Sequence, residues 1–312
     1  MSFLNGNDDD RDIHPKVLLD DNKNSNKNNN KDQDEDNKDE DEENELLESL
    51  WDQGVETGII VKWPGIPQPL HISTVLEEND LAPLFHGTQW AGTRVWKAAI
   101  VAIRYLYNRY QSNEFCPASS SSSSSLLLLE LGCGLGIPGM VLHSLFPNLN
   151  VILTDEETLV PQLVKNLERN FPKDDRIVAK PLSWSPEYVS SILPIHAING
   201  PSLDVCLNCD CIYEPLYGEQ AWKALADTLI ELAKQHPSIC LVTSVERRMA
   251  DAVEKFLERL EASPYIASPI ECALVDDTDP HHRIEIYVTT GVTKSRPSAN
   301  LTTGSSSGAE SG

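Results

Sequence analysis

The apolar positions along this chain change rhythm several times, and each change predicts an element. At residues 55–74, two short β-prone pieces, Gly58-Ile-Ile-Val-Lys-Trp63 and Leu70-His-Ile-Ser-Thr74, flank a proline-bearing turn, which reads as a small hairpin. Residues 94–110 carry Val95, Ala98, Ala99, Ala102, Ile103 and Leu106 at the spacing of an amphipathic helix. Beyond residue 125 strands and helices alternate. Residues 126–131 are an apolar run broken only by Glu130, as expected of a strand buried on both faces. A helix at 138–146 follows, then a strand at 151–154 and a helix at 158–170 with Pro161 in its first turn. Strands at 177–182 and 203–208, a helix at 218–235, a strand at 239–244 and a helix at 250–260 continue the pattern. Two β-prone pieces, 271–275 and 284–290, close it around turn-rich residues 276–282.

Such alternation implies an α/β fold with a mainly parallel sheet, and the closing hairpin adds one antiparallel edge strand. Composition marks where the fold stops. The first fifty residues hold 17 acidic and 6 basic side chains and almost no aromatics, too little apolar surface to offset the entropy of ordering them. Residues 1–50 are therefore expected to be disordered, as are the Ser- and Gly-rich residues 293–312. Seven serines at 119–125 predict a flexible loop over 117–125. Residues 51–292 then form one domain.

The chain carries a net charge of −23, and about half of it lies outside the first fifty residues. A surface that acidic suits a phosphate backbone poorly, so no nucleic-acid partner is expected. It would steer a basic partner, or simply keep the protein soluble. The odd count of seven cysteines, and an N-terminus without a secretory pattern, predict a reducing compartment: the cytoplasm, and also the nucleus. The CxxC at Cys206 and Cys209 has no second pair to complete a metal site, and His281-His282 with Asp277 and Asp279 reads as a solvated loop. No metal is expected. No apolar segment reaches the length of a membrane span.

The densest chemical signal is Glu130-Leu-Gly-Cys-Gly-Leu-Gly-Ile-Pro-Gly139, set between a buried strand and a helix. Glycines there allow a tight turn and close approach of a ligand to the main chain, beside the free N–H groups of a helix start. Gly134, Gly136 and Gly139 fit the dinucleotide pattern GxGxxG, and Gly132, Gly134 and Gly136 fit the GxGxG of adenosylmethionine enzymes. Asp155, ending the next strand, could hold a ribose diol under either reading. Glu130 favours the second, since a carboxylate beside the turn repels a pyrophosphate and attracts the cationic amino acid portion of adenosylmethionine.

Together, residues 130–139, Thr154-Asp155, Asp210-Cys-Ile-Tyr213 and Gly-Thr-Arg-Val-Trp96 resemble methyltransferase family 16, the seven-strand class I protein lysine methyltransferases with an Asp-x-x-Tyr/Phe motif. The resemblance covers roughly residues 85–290. It implies a Rossmann-like sheet of seven strands with helices on both faces, S-adenosyl-L-methionine as donor, a protein substrate and a monomer. It also implies site roles. Gly132, Gly134, Gly136, Glu130, Asn208 and Asp155 would hold the donor, Trp96 would close the pocket near the sulfonium, and Trp184 would lie beside the adenine. Asp210 and Tyr213 would stand where the target lysine enters, and Arg247 or Arg248 matches a family arginine. The serine run, the acidic segment and the Ser183-Trp184 pair depart from the common pattern.

Methyl transfer to an amine needs a neutral nitrogen aligned with the methyl carbon and sulfur, and a free lysine is protonated up to a pKa of about 10.4. Asp210 is expected to position the incoming ammonium and Tyr213 to wall the channel. Each residue has a plainer alternative: Asp210 as a helix cap ahead of Pro215, Tyr213, Trp96 and Trp184 as packing. Rival functions are a small-molecule N-methyltransferase, a non-catalytic adenosylmethionine-binding module, and a nicotinamide-dependent oxidoreductase. Enzymes that methylate nucleobase amines carry a proline pair that is absent from Asn208-Cys-Asp210-Cys-Ile-Tyr213.

Overall fold

The computed structural model describes residues 58–74, 92, 94–112, 114, 125–192, 203–279 and 281–292. The acidic segment 1–50, all but the last of the seven serines, and residues 293–312 lie outside the described residues. A two-stranded hairpin, β1 (Ile59–Val61) and β2 (Leu70–Ile72), precedes helix α1 (Lys97–Gln111). Then come β3 (Leu126–Leu131), α2 (Ile137–Leu145), β4 (Leu149–Asp155), α3 (Val160–Asn170) and β5 (Ile177–Pro181). A 3-10 turn at Pro186–Tyr188 runs into the short α4 (Val189–Ile192). After β6 (Val205–Cys209) stand α5 (Glu214–Tyr217), α6 (Glu219–Gln235), β7 (Cys240–Arg247), α7 (Val253–Glu261), β8 (Glu271–Asp279) and β9 (His282–Thr290).

The sheet has the order β5-β4-β3-β6-β7-β9-β8. The first five strands are mutually parallel, and β9 runs antiparallel to both β7 and β8. This is the mainly parallel seven-stranded sheet anticipated, and its reversed strand lies just inside the outer strand β8. From β3 the chain winds outward through β4 to β5, then returns to build β6 and β7 on the other side. The order therefore reverses between β3 and β6, and the crevice at the carboxyl ends of these two strands is where such sheets bind ligands.

β3 shows why an almost purely apolar strand lies at the centre. All six of its residues are buried. Leu127, Leu129 and Leu131 point to one face, into a core shared with Trp222, Leu225 and Leu229 of α6 and Val253, Phe256 and Leu260 of α7. Leu128 and Glu130 point to the other, where Gly139 of α2 packs against Glu130 and Leu153. Each fully buried leucine contributes roughly 1.5–3 kcal/mol of apolar burial.

The hairpin docks through side chains that act as a substitute strand. Along α3, Gln162, Asn166 and Asn170 recur every fourth residue and so share one helix face. The Asn170 amide accepts from His71 N–H at 2.7 Å and donates to His71 C=O at 2.9 Å. Asn166 accepts from Ser73 N–H at 2.8 Å, and both Gln162 and Asn166 donate to Ser73 C=O. The alternate residues Leu70 and Ile72 pair with β1. Three amides thus satisfy backbone groups that an unpartnered strand edge would leave open.

At the far edge, the predicted turn 276–282 is mostly strand. Asp276 pairs with Ile284 and Asp279 with His282, with one irregularity of register between the two pairs. The polar residues fit because this outer strand has an exposed face, and Asp279 and Asp276 find cations in Lys97 and Arg104 of α1. No described helix is long and apolar enough to cross a membrane.

Asn166→Ala removes one donor and one acceptor from a partly buried strand edge. It should lower the unfolding free energy by about 1–3 kcal/mol in urea titrations and speed amide exchange at Ser73 selectively. An unchanged Ser73 exchange rate would contradict the docking role of Asn166.

Candidate active site

A cavity of about 400 Å³ opens at the point where β3 and β6 diverge. Its wall comes from the glycine turn, Asp155 at the end of β4, Leu182 to Trp184 after β5, Cys209 and Cys211 around the end of β6, Tyr217, the first turns of α6, and Val95 and Trp96 ahead of α1. That volume lies within the usual range for small-molecule sites.

The turn is held by backbone conformation. Gly132, Gly134 and Gly136 have φ of +59°, +53° and +72°, the left-handed region that side chains disfavour. At Gly132 a Cβ would also lie 2.8 Å from Cys211 Sγ and 2.8 Å from Trp184 Cζ2, and at Gly134 it would lie 3.0 Å from the carbonyl oxygen of Gly92. The turn is locked to the neighbouring strand by Asp155, whose Oδ2 accepts from Gly134 N–H at 2.7 Å and whose Oδ1 accepts from Glu156 N–H at 2.8 Å. Each of these oxygens keeps capacity for another donor. Burial still raises the Asp155 carboxyl to about 6, with those two N–H groups pulling the other way.

Glu130 sits beneath the turn at 1% exposure and reaches the start of α2, where its Oε2 accepts from Gly139 N–H at 2.8 Å. Burial lifts it to about 8; the Gly139 N–H opposes the shift and the charge of Asp155 adds to it. The helix N–H that would serve a phosphate is thus taken by a carboxylate, with a second carboxylate on the far side of the turn. With that N–H already occupied, the start of α2 has less to offer a pyrophosphate, which disfavours the nicotinamide reading.

Trp96 and Trp184 both line the cavity, Trp184 against Gly132 and Trp96 at the approach from α1. Asn208 does not line it. It is 0% exposed, donates to Thr243 Oγ1 at 2.9 Å, and its Oδ1 has no hydrogen-bond partner in the structure. Asn208 lies under the site, on the β6 side facing β7.

Asp210 is also buried, at 3% exposure, between Cys209 and Cys211, and its own backbone is left-handed with φ +58°. Both carboxylate oxygens are held by Arg248, at 2.8 and 2.7 Å, and Glu246 N–H donates to Oδ1 at 3.2 Å. Burial raises its pKa, and Arg248 opposes the rise. The Arg248 guanidinium lies 5.1 Å from the centre of the Tyr213 ring and 5.5 Å from the Trp96 ring. One cation therefore joins the acid, the tyrosine and the cavity tryptophan. Tyr213 stands at the N-cap position just ahead of α5, with no side-chain cap bond there, so Asp210 is not its cap. Of the two arginine candidates, Arg248 reaches the site; Arg247 turns outward to Asp251, Glu254 and Glu285.

The loop around His281 and His282 departs from its expected solvated state. His282 Nδ1 lies 2.6 Å from Glu246 Oε1, and Glu246 Oε2 lies 2.5 Å from Arg248. Sequence reasoning missed Glu246, His282, Tyr217 and Gln220. The one local hint was that Tyr217 closes the short stretch after Asp-x-x-Tyr. Among the described residues no group of three or more His, Cys, Asp or Glu side chains could hold a metal ion. The described cysteines are all free, and burial pushes the thiols of Cys133, Cys209 and Cys211 upward, so they serve as neutral walls.

Residues of this kind fit an adenosylmethionine molecule: a glycine cradle without room for side chains, an acid with spare acceptor capacity for hydroxyls, and a buried acid beside the turn for a cation. Without ligand, the raised carboxyls bind protons that the unfolded chain has already released. Stability should therefore fall as pH rises through roughly 4 to 8 on account of Asp155 and Glu130. Glu130→Gln should flatten the decline above pH 5, and the unfolding midpoint of the variant should overtake wild type near pH 8. Parallel curves would place the Glu130 proton elsewhere.

A family profile described as lysine methyltransferase matches residues 77–263. The chain is 34% identical over 160 residues to Secreted RxLR effector protein 48 of Plasmopara viticola, a match covering 49% of this chain and 78% of that protein. Among solved structures, a precorrin-6y C5,15-methyltransferase from Geobacter metallireducens is similar over 55% of this chain and 81% of its own, with 12% identity and a TM-score of 0.36. A human methyltransferase 10 domain containing protein is similar over 63% and 83%, with 12% identity and a TM-score of 0.40. The profile match runs from ahead of α1 to beyond α7, more than half of the sequence, and on it the chain belongs to the lysine methyltransferase family, which takes its methyl group from S-adenosylmethionine.

Proposed function

We propose that this protein methylates the side-chain amine of a lysine in another protein. The observation that carries the reading is the pairing of a buried carboxylate, Asp210, with a cation set against the faces of Trp96 and Tyr213, beside the cavity. A carboxylate flanked by aromatic faces is the environment that recognises an alkylammonium group. The family description, lysine methyltransferase, supports a lysine acceptor.

When bound, S-adenosylmethionine supplies a methyl group already activated by its positive sulfur. In this reading the glycine turn and Asp155 hold the ribose and amino acid portions, Trp184 lies against the adenine, and Glu130 braces the start of α2 beneath the turn through Gly139 N–H. Asp210 draws the lysine ammonium in, and the rings of Trp96 and Tyr213 narrow its approach and keep water away. The amine must lose a proton before it reacts, and none of the buried thiols is a base for it, so the proton passes to solvent along the approach. Orientation of this kind is worth roughly 7–11 kcal/mol when the geometry is good. The free thiols are consistent with work in a reducing compartment, and we place the protein in the cytoplasm and nucleus.

Asp210→Asn is the decisive variant, because asparagine tolerates the left-handed backbone at this position while removing the charge. With labelled S-adenosylmethionine and a protein extract, wild type should mark a discrete protein band. The variant should bind adenosylhomocysteine normally and transfer label on the order of 100-fold more slowly. Label appearing only in small molecules would point to a small-molecule acceptor. Donor binding without any transfer would point to a binding module.

A further inference from the structure

Asp210 is already neutralised in this structure, and by a group that occupies the ammonium's expected place. Arg248 grips both of its oxygens and also covers the Tyr213 and Trp96 rings. A lysine ammonium approaching Asp210 must displace that guanidinium. The structure provides somewhere for it to go: Arg248 Nη2 already lies 2.5 Å from Glu246 Oε2. The other oxygen of Glu246 is held at 2.6 Å by His282, and His282 stands 4.0 Å from Asp279, which pairs with Lys97 next to Trp96. Lys97, Asp279, His282, Glu246, Arg248 and Asp210 thus form one line of polar contacts from the β8–β9 hairpin to the acid beside the cavity.

We propose that Arg248 is an exchangeable counter-ion, handed from Asp210 to Glu246 when a substrate ammonium arrives, and that Glu246 is the positioning residue that sets how readily this happens. The inference rests on the reading of Asp210 as the acceptor-side acid. A buried carboxylate left without any cation is costly, so an exchange in which one cation replaces another is the inexpensive route to an open site. Glu246 keeps the departing guanidinium paired throughout. His282 competes for Glu246, and so moderates its hold on Arg248.

The test uses the full chain saturated with adenosylhomocysteine and n-butylammonium chloride as the probe for a lysine side chain, with sodium chloride at equal ionic strength as control. The arginine side-chain N–H resonances, with that of Arg248 identified through Arg248→Lys, and the Tyr213 ring resonances are followed by NMR. In wild type both sets should move together and saturate. Glu246→Gln should raise the midpoint by about tenfold, the effect of one charge-assisted hydrogen bond, while adenosylhomocysteine affinity stays within about twofold. His282→Ala should lower the midpoint by about two- to threefold, and variants that merely loosened the fold would not move it in opposite directions. Movement of Tyr213 with Arg248 stationary, or equal midpoints in wild type and Glu246→Gln, would overturn the exchange and leave the lysine reading standing. No movement at Tyr213 would overturn the lysine reading, and the exchange with it.

Discussion

One hydrogen bond organises the functional end of this molecule: Gly134 N–H to the carboxylate of Asp155, at 2.7 Å. It joins the turn after β3 to the last residue of β4, two parallel strands whose register already brings Leu131 opposite Thr154. The turn can donate that bond only because Gly132 and Gly134 adopt left-handed φ and carry no Cβ where Cys211, Trp184 and Gly92 approach. Close packing behind the turn is what leaves the cavity open in front of it. A side chain at Gly132 would both push away Trp184 and strain the backbone, losing cavity wall and turn together.

The site is assembled from groups that oppose folding. Glu130, Asp155 and Asp210 are all buried carboxylates whose pKa values are pushed up by loss of water. Each is partly offset by a local donor: Gly139 N–H, Gly134 N–H and Arg248 respectively. The compensation is incomplete, so in the empty site Glu130 and Asp155 hold on to protons that the unfolded chain would release. A cation that binds beside these groups displaces those protons, so its affinity rises with pH. The apolar core around β3 and β6, packed against α6 and α7, supplies the stability that tolerates this arrangement.

Much of the architecture was legible because the apolar rhythm and the packing agree. The continuous run 126–131 became the central strand, and the amphipathic helices kept their positions within a few residues. The glycine turn, Asp155, Trp96 and Trp184 came together as the motif order implied, since a strand–turn–helix unit fixes such residues through local geometry. What could not be read depended on contacts distant in sequence. Arg247 and Arg248 are adjacent and chemically identical, and the chain leaving the end of β7 sends Arg248 to Asp210 while Arg247, its last residue, goes to Glu285. His282 looked like a turn residue because histidine and aspartate are common in turns. Its role comes from the antiparallel pairing of β9 with β7, which no local pattern announces. Asn208 shows the opposite failure: it stands at the right distance from the motif, but the strand turns its amide toward Thr243 and away from the cavity.

That same pairing gives the reversed strand a purpose beyond closing the sheet. A parallel strand beside β7 would have to arrive from the amino end, after a crossover, and its first residues would lie far from the ligand. An antiparallel strand begins at the carboxyl end of β7, so the first residue of β9, His282, is delivered beside Glu246 at the level of the cavity. The preceding strand brings Asp279 to Lys97 at the start of α1, one residue from Trp96. The hairpin thus ties the end of β7, which backs Asp210 through Glu246 and Arg248, to the start of α1, which lines the cavity, through charged side chains at a partly exposed rim. Such pairs contribute little to global stability because they are partly exposed, and for that reason they can rearrange without unfolding the sheet that carries them.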